Sequence, residues 1–240
     1  MKKTLIAAVI LFGSTGITYA ETSGVYVNGQ LGGSWLRAGS ISHKFLDDDV
    51  DPSNFSFDSQ NKVVVNGGVG IGYNFKPHFD LPIRTELMFT MRGNLNKDTN
   101  ARQFSGTDDD GDSINGEYYL HIKTRMNTLM VNTYYDFDTG TNFTPYVSLG
   151  VGAAFLKYER TGLVSGGDNE DADTNSKSKT RFAYAAGFGG NYKITDNWST
   201  DILARYTYGG KINVSTGDNS AKSELKLSTT DLMVGVRYSF

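Results

Sequence analysis

The chain has 240 residues, no cysteine, 28 glycines, 4 prolines and 12% aromatic residues, with a formal charge of −3. Without cysteine, disulfide scaffolds, thiolate metal sites and cysteine catalysis are excluded. The negative balance gives no electrostatic ground for a nucleic-acid partner. Three histidines (His43, His78 and His121) leave little material for a metal or proton-relay site, and no cofactor is expected.

Lys2 and Lys3 precede an apolar run from Leu5 to Phe12, and Thr18-Tyr19-Ala20 offers small residues where a signal peptidase reads. Residues 1–20 are therefore expected to be a cleaved signal peptide and 21–240 a single domain. Removing the two lysines takes the mature chain from −3 to −5. No later stretch supplies the ~20 apolar residues of a membrane helix.

From residue 24 onward, apolar and polar residues alternate with a period of two. Val25, Val27, Leu31 and Trp35 oppose Tyr26, Asn28, Gln30 and Ser34. The pattern recurs over 63–75, 82–94, 129–137, 143–155, 182–194, 198–208 and 232–240, which makes eight strands. Short turns fall near 76–81, 138–142 and 195–197, and long polar stretches near 37–62, 95–117, 159–179 and 213–224. Short and long connections around an even number of strands predict an all-β fold, an eight-stranded antiparallel transmembrane β-barrel. It has four long extracellular loops and brief periplasmic turns. Closure follows because lipid satisfies no backbone N–H or C=O group.

A soluble barrel of the lipocalin type would carry the opposite polarity. Here the polar parity holds Arg84, Glu86, Arg92, Asp136, Asp201, Arg205 and Arg237, expected to form ion pairs inside the barrel, while the other parity is aliphatic with aromatics near the strand ends. No serine–histidine–carboxylate set converges, so no catalytic role is expected.

The stretches Gly72-Tyr73-Asn74-Phe75, Leu81-Pro82-Ile83-Arg84-Thr85-Glu86-Leu87 and Met130-Val131-Asn132-Thr133-Tyr134-Tyr135-Asp136-Phe137 carry a resemblance. So do Phe143-Thr144-Pro145-Tyr146-Val147, Gly150-Val151-Gly152 and the Tyr238-Ser239-Phe240 end. Together they resemble the opacity-like outer-membrane proteins of Gram-negative bacteria, closest to the Tia/Hek/PagN group of adhesins and invasins. The resemblance implies an outer-membrane location and attachment to, or entry into, host cells through a surface receptor or heparin-like glycan. It also implies a monomer whose last strand, with Tyr238 and Phe240, is an assembly signal for the barrel-assembly machinery.

The loops depart from a heparin binder. Residues 37–62 sum to −2, 95–117 to −4, 159–179 to −2 and 213–224 to −1, so the connections carry −9 and the frame +4. Acidic tips repel sulfated glycans within a Debye length. Lys177-Ser178-Lys179-Thr180-Arg181 is the local exception, read as a solvated start of a strand. Asp47-Asp48-Asp49 and Asp108-Asp109-Asp110-Gly111-Asp112 supply calcium-type oxygens without completing an EF-hand, and read as solvated acid.

The alternative from another class is a small porin, or a structural outer-membrane protein with no receptor of its own. Eight strands leave room only for side chains, but inward glycines at 68, 70, 72, 150, 152, 187 and 189 leave space. Pairing about a turn centred near residue 140 sets Leu129 opposite Val151 and Lys123 opposite Lys157. On that basis Lys123, Arg125 and Lys157 are expected to contact lipopolysaccharide phosphate at the outer rim.

Overall fold

The computed structural model describes residues 23–39, 42–45, 60–107, 113–165, 171–216 and 221–240. The expected signal peptide and both acidic clusters, at 47–49 and 108–112, lie outside the described residues. The strands are β1 (Val25–Ala38), β2 (Ser42–Phe45), β3 (Gln60–Asn74), β4 (Ile83–Arg92), β5 (Leu95–Thr107), β6 (Ser113–Asp136), β7 (Phe143–Ser165), β8 (Asp171–Lys193), β9 (Trp198–Thr216) and β10 (Ala221–Ser239). One helical turn, α1 (Lys76–Phe79), joins β3 to β4.

Eight strands close the wall in the order β1-β3-β4-β6-β7-β8-β9-β10, every neighbouring pair antiparallel, and β10 returns to β1. The β5 segment continues the course of β4 along β6, and β2 adds a short ladder to β10. Closure leaves no lipid-facing edge in the membrane region.

The register fixes the tilt. Following paired residues from Arg37 through Ser228, Tyr208, Tyr184, Val151, Val131, Leu87 and Ile71 returns to β1 at Val27, a displacement of ten residues. Ten residues at ~3.3 Å against eight strands at ~4.8 Å give a strand tilt of about 40°.

The polarity is inside-out. Leu31 and Leu149 are 72% and 70% exposed, while Arg84 and Asp231 are 1% and 0% exposed. A water-soluble barrel with that distribution would leave its aliphatic face in solvent. In lipid the same face is matched to its surroundings.

Antiparallel pairing runs far into the long polar stretches. β5 and β6 pair out to Thr107↔Ser113, β7 and β8 to Val164↔Asp171, and β9 and β10 to Thr216↔Ala221. These connections are therefore strand hairpins carried beyond the apolar band. The ladder needs no lipid, and their Thr, Tyr, Ile and Val residues suit an extended backbone. Two ladders stop early. β8 and β9 pair from Lys193↔Ser199 only as far as Tyr184↔Tyr208, and β3 and β4 only as far as Asn66↔Arg92. Above those points the wall divides, among the described residues, into one sheet of β5, β6, β7 and β8 and another of β9, β10, β1 and β3.

The β6–β7 register corrects the expected one by two residues. Leu129 pairs with Ala153, Arg125 with Lys157, and Lys123 with Glu159. The turn is longer and centred one residue later than expected. Phe137 N–H donates to Pro145 O at 2.8 Å, and the hydroxyls of Thr139 and Thr141 close onto Phe143 O around Gly140 at φ 65°. A two-residue slip keeps every side chain on its face, so the outward placement of Lys123, Arg125 and Lys157 stands while their partners change.

Candidate functional site: a filled lumen beneath a charged outer rim

Three layers of side chains fill the barrel. At the periplasmic end Arg84 grips Asp136 with both Nε and Nη2, at 2.6 and 2.9 Å. Its guanidinium lies over the rings of Tyr134 and Tyr146, 4.5 and 5.1 Å from their centroids. Arg237 donates to Asp201 at 2.6 Å and lies 4.9 Å from the Tyr26 ring. Glu86 accepts from Asn28 Nδ2 and Tyr134 Oη, each at 2.9 Å. Planar guanidiniums pair with carboxylates and stack on aromatic faces at once, and both contacts lower the cost of burying the charge.

The middle layer centres on Asp231. It accepts from Arg92 Nη2 at 2.6 Å, Arg205 Nη2 at 3.4 Å and Ser34 Oγ at 2.6 Å. Asn66 in turn donates to Ser34 Oγ at 2.7 Å, and Arg92 Nη1 to Thr128 Oγ1 at 3.2 Å. Sequence reasoning missed Asp231. It has the parity of Arg237, and extending the last alternating segment by one residue, from Leu232 back, would have found it.

Above this lies an apolar layer of Leu36, Leu95, Met126, Ala154, Leu156, Ala183 and Leu227, all buried, and Met130 and Ala185 carry the same cluster down beside the Asp231 layer. The apolar layer stands between the polar interior and the outer mouth. The glycines expected to leave space do not. A Cβ at Gly189 would stand 2.7 Å from Tyr146 Cζ, and one at Gly68 2.7 Å from Met88 Cε. A Cβ at Gly72 would overlap the Tyr26 ring. These glycines let large side chains lie flat on the wall.

At the outer rim, Lys123, Arg125 and Lys157 face outward and line a cleft of about 200 Å³ with Asn94 and Glu159. Arg125 Nε donates to Asn94 Oδ1 at 2.7 Å. Glu159 stands 3.7 Å from Lys123 Nζ and 3.5 Å from Lys157 Nζ. On the inner side of the rim, Lys177, Lys179 and Arg181 share the parity of lumen-facing Ala183 on β8. Lys177 and Lys179 are exposed, as expected, but they lie inside β8 (Asp171–Lys193) and not at its start, because the ladder with β7 continues out to Asp171. Arg181 Nε crosses the β8–β9 division to Lys211 O at 3.0 Å, and Lys62 Nζ crosses the β3–β5 division to Asn96 O at 3.3 Å.

At the periplasmic end Tyr238 and Phe240 occupy the barrel's seam. Phe240 N–H donates to Val25 O at 3.0 Å, and its ring meets that of Tyr238 edge-on at 5.0 Å. Tyr238 packs in turn on Trp198 at 4.9 Å. In the turns, Lys76 donates to Asp138, whose carboxyl is held below the usual carboxylate range by that hydrogen bond and a second from Gly140 N–H.

The family model described as "Outer membrane protein beta-barrel domain" matches residues 4–240. Outer membrane protein PagN of Salmonella typhimurium is 36% identical over 232 residues, covering 93% of this chain and 92% of its own. "Putative adhesin RC1281" of Rickettsia conorii is 24% identical over 197 residues, 79% of this chain and 73% of its own. Among solved structures, OprG of Pseudomonas aeruginosa aligns at 16% identity and TM-score 0.49 over 92% of this chain and 97% of that one. The inside-out wall and the match over nearly the whole length agree: the chain belongs to the outer-membrane protein β-barrel family, and its place is the bacterial outer membrane.

Proposed function

We propose that this protein is a surface attachment protein, a binder and not a catalyst, whose extracellular hairpins engage a receptor or glycan on host cells or matrix. The observation that carries this reading is the contrast along the barrel axis. The lumen is filled by charged, aromatic and apolar layers, whereas paired hairpins project well beyond the apolar band. A rigid mount with projecting connections is the usual arrangement for recognition. A relative named for adhesion supports the same reading. The filled lumen speaks against the porin alternative.

The ligand's charge is open to direct test. The connecting stretches carry −9 in all, but the exposed Lys177 and Lys179 stand on β8 above the point where its ladder with β9 ends. Deleting 106–113 or 166–173 separately, in cells displaying the protein, should lower attachment to host cells while the barrel stays folded. Soluble heparin should compete weakly. Undiminished attachment with both stretches removed would refute the reading. Strong heparin competition would assign binding to the 177–181 row and overturn the argument from loop charge.

A further inference from the structure

The lipid-facing wall carries one arrangement that β-sheets ordinarily avoid. Arg125 and Lys157 stand directly opposite one another on β6 and β7, and both point outward. Like charges opposed across strands destabilise a sheet. The adjacent Glu159 does not resolve the conflict. Its oxygens stand 3.5 and 3.7 Å from Lys157 and Lys123, beyond the 2.7–2.9 Å typical of a closed charge-assisted bond. With Lys123, Arg125 and Lys157 against Glu159, the cleft carries a net charge of +2.

Its height on the barrel is defined by the register. Each step around the wall shifts the level by ten residues over eight strands, about 1.25 residues. Arg37 on β1 leads by register to Val131 on β6, five strands away. Correcting by about six residues toward the outside places Arg125 level with Arg37, on the opposite wall. The outward residues below Arg37 run from Trp35 to Val25, ten residues of tilted strand, or about 25 Å of apolar height. The three cations therefore sit at the upper edge of the hydrocarbon, where the phosphates of outer-leaflet lipid lie.

We propose that the Lys123–Arg125–Lys157 cleft binds a phosphate group of an outer-leaflet lipid, the phosphorylated sugar headgroup of lipopolysaccharide. The phosphate bridges Arg125 and Lys157, relieving their repulsion, and takes a third contact from Lys123. Asn94 holds the Arg125 guanidinium toward the cleft through Nε, leaving both Nη groups free of that bond. Glu159 limits the site by competing for the two lysines.

The test uses the full mature protein in two vesicle types, phosphatidylcholine alone and phosphatidylcholine with lipopolysaccharide, followed by the loss of heat-modifiable gel migration with temperature. Lipopolysaccharide should raise the wild-type unfolding temperature, and K123Q/R125Q/K157Q should lose most of that increment, a fall of roughly 5 °C. In phosphatidylcholine the triple variant should match wild type or exceed it, because the like-charge pair is gone. Glu159→Gln should enlarge the increment. Equal changes in both vesicle types, no increment for wild type, or a smaller increment for Glu159→Gln would overturn the site. An increment reproduced in phosphatidylcholine by inorganic phosphate alone would overturn the assignment to lipid.

Discussion

Asp231 on β10 and Arg92 on β4 meet across the lumen at 2.6 Å, although β1 and β3 separate their strands on the wall. The pair spans the barrel's interior, and Arg205 shares the same carboxylate at 3.4 Å. Two guanidiniums thus depend on one anion. Asp231→Asn should cost about 3–5 kcal/mol, because it strands two buried cations. The midpoint of urea unfolding in detergent checks this, and a midpoint near wild type would show that the pair contributes little.

The lumen should stay closed even without its apolar layer. Wild type in planar bilayers is expected to be silent. Replacing Met126, Leu156 and Leu227 together with glycine should leave it silent, since the Arg92–Asp231 and Arg84–Asp136 layers still fill the space below. Stepwise openings of that variant would show that the apolar layer alone closes the barrel. Steady openings of the wild-type protein would revive the porin reading.

Deleting Phe240 should lower the amount of folded protein at the cell surface and raise its periplasmic degradation. The deletion removes a terminal aromatic that the family resemblance assigns to recognition by the barrel-assembly machinery. It also removes the backbone bonds to Val25 and Ser23 at the seam. Surface protease accessibility measures the outcome. Normal surface levels would dismiss both roles.

The Lys76–Asp138 clip makes a pH prediction. Asp138 is a carboxylate held low in the folded state, so the stabilisation it gives is present above the ordinary carboxylate range and lost as pH falls through its folded value. Its carbon NMR titration should end below that of a free aspartate, and Lys76→Gln should move the midpoint upward. A midpoint indifferent to that substitution would contradict the contact. The effect on stability should be small, as the pair is exposed.

Cleavage after Ala20 predicts an outer-membrane form that begins at Glu21. Intact-mass measurement on protein extracted from membranes decides it, and retention of residues 1–20 would reject the signal-peptide reading.

Much of this architecture is legible from parity alone. Leu31, Val69, Leu87, Val151 and Phe188 face lipid, and Arg84, Asp201 and Arg237 face inward, as their alternation requires. Parity fails where the backbone inserts a residue. Leu95 would follow the odd, outward positions of β4, yet it is 4% exposed. Gly93 and Asn94 interrupt the ladder, with Gly93 N–H still bonded to Val65 O, and β5 resumes on the opposite phase. The partner of each charge was less legible than its side of the wall. A two-residue change in turn geometry left Lys123 pointing outward but gave it Glu159 as its opposite number. Pairings that cross the lumen, such as Arg92 with Asp231, depend on strand order and tilt and have no local signature.

The apolar layer beneath the outer mouth also separates two kinds of risk for the bacterium. Among the described residues, the buried charges lie below Leu36, Met126 and Leu227, and the paired backbone of the hairpins continues above them. Changes of length or sequence in the connections therefore leave the packing of the lumen in place. Substitutions at Tyr26, Gly72 or Asp231 have no such freedom, because each is built into the stopper itself. Variation between strains should therefore change abruptly along each strand, with permissive positions beginning just outside that layer.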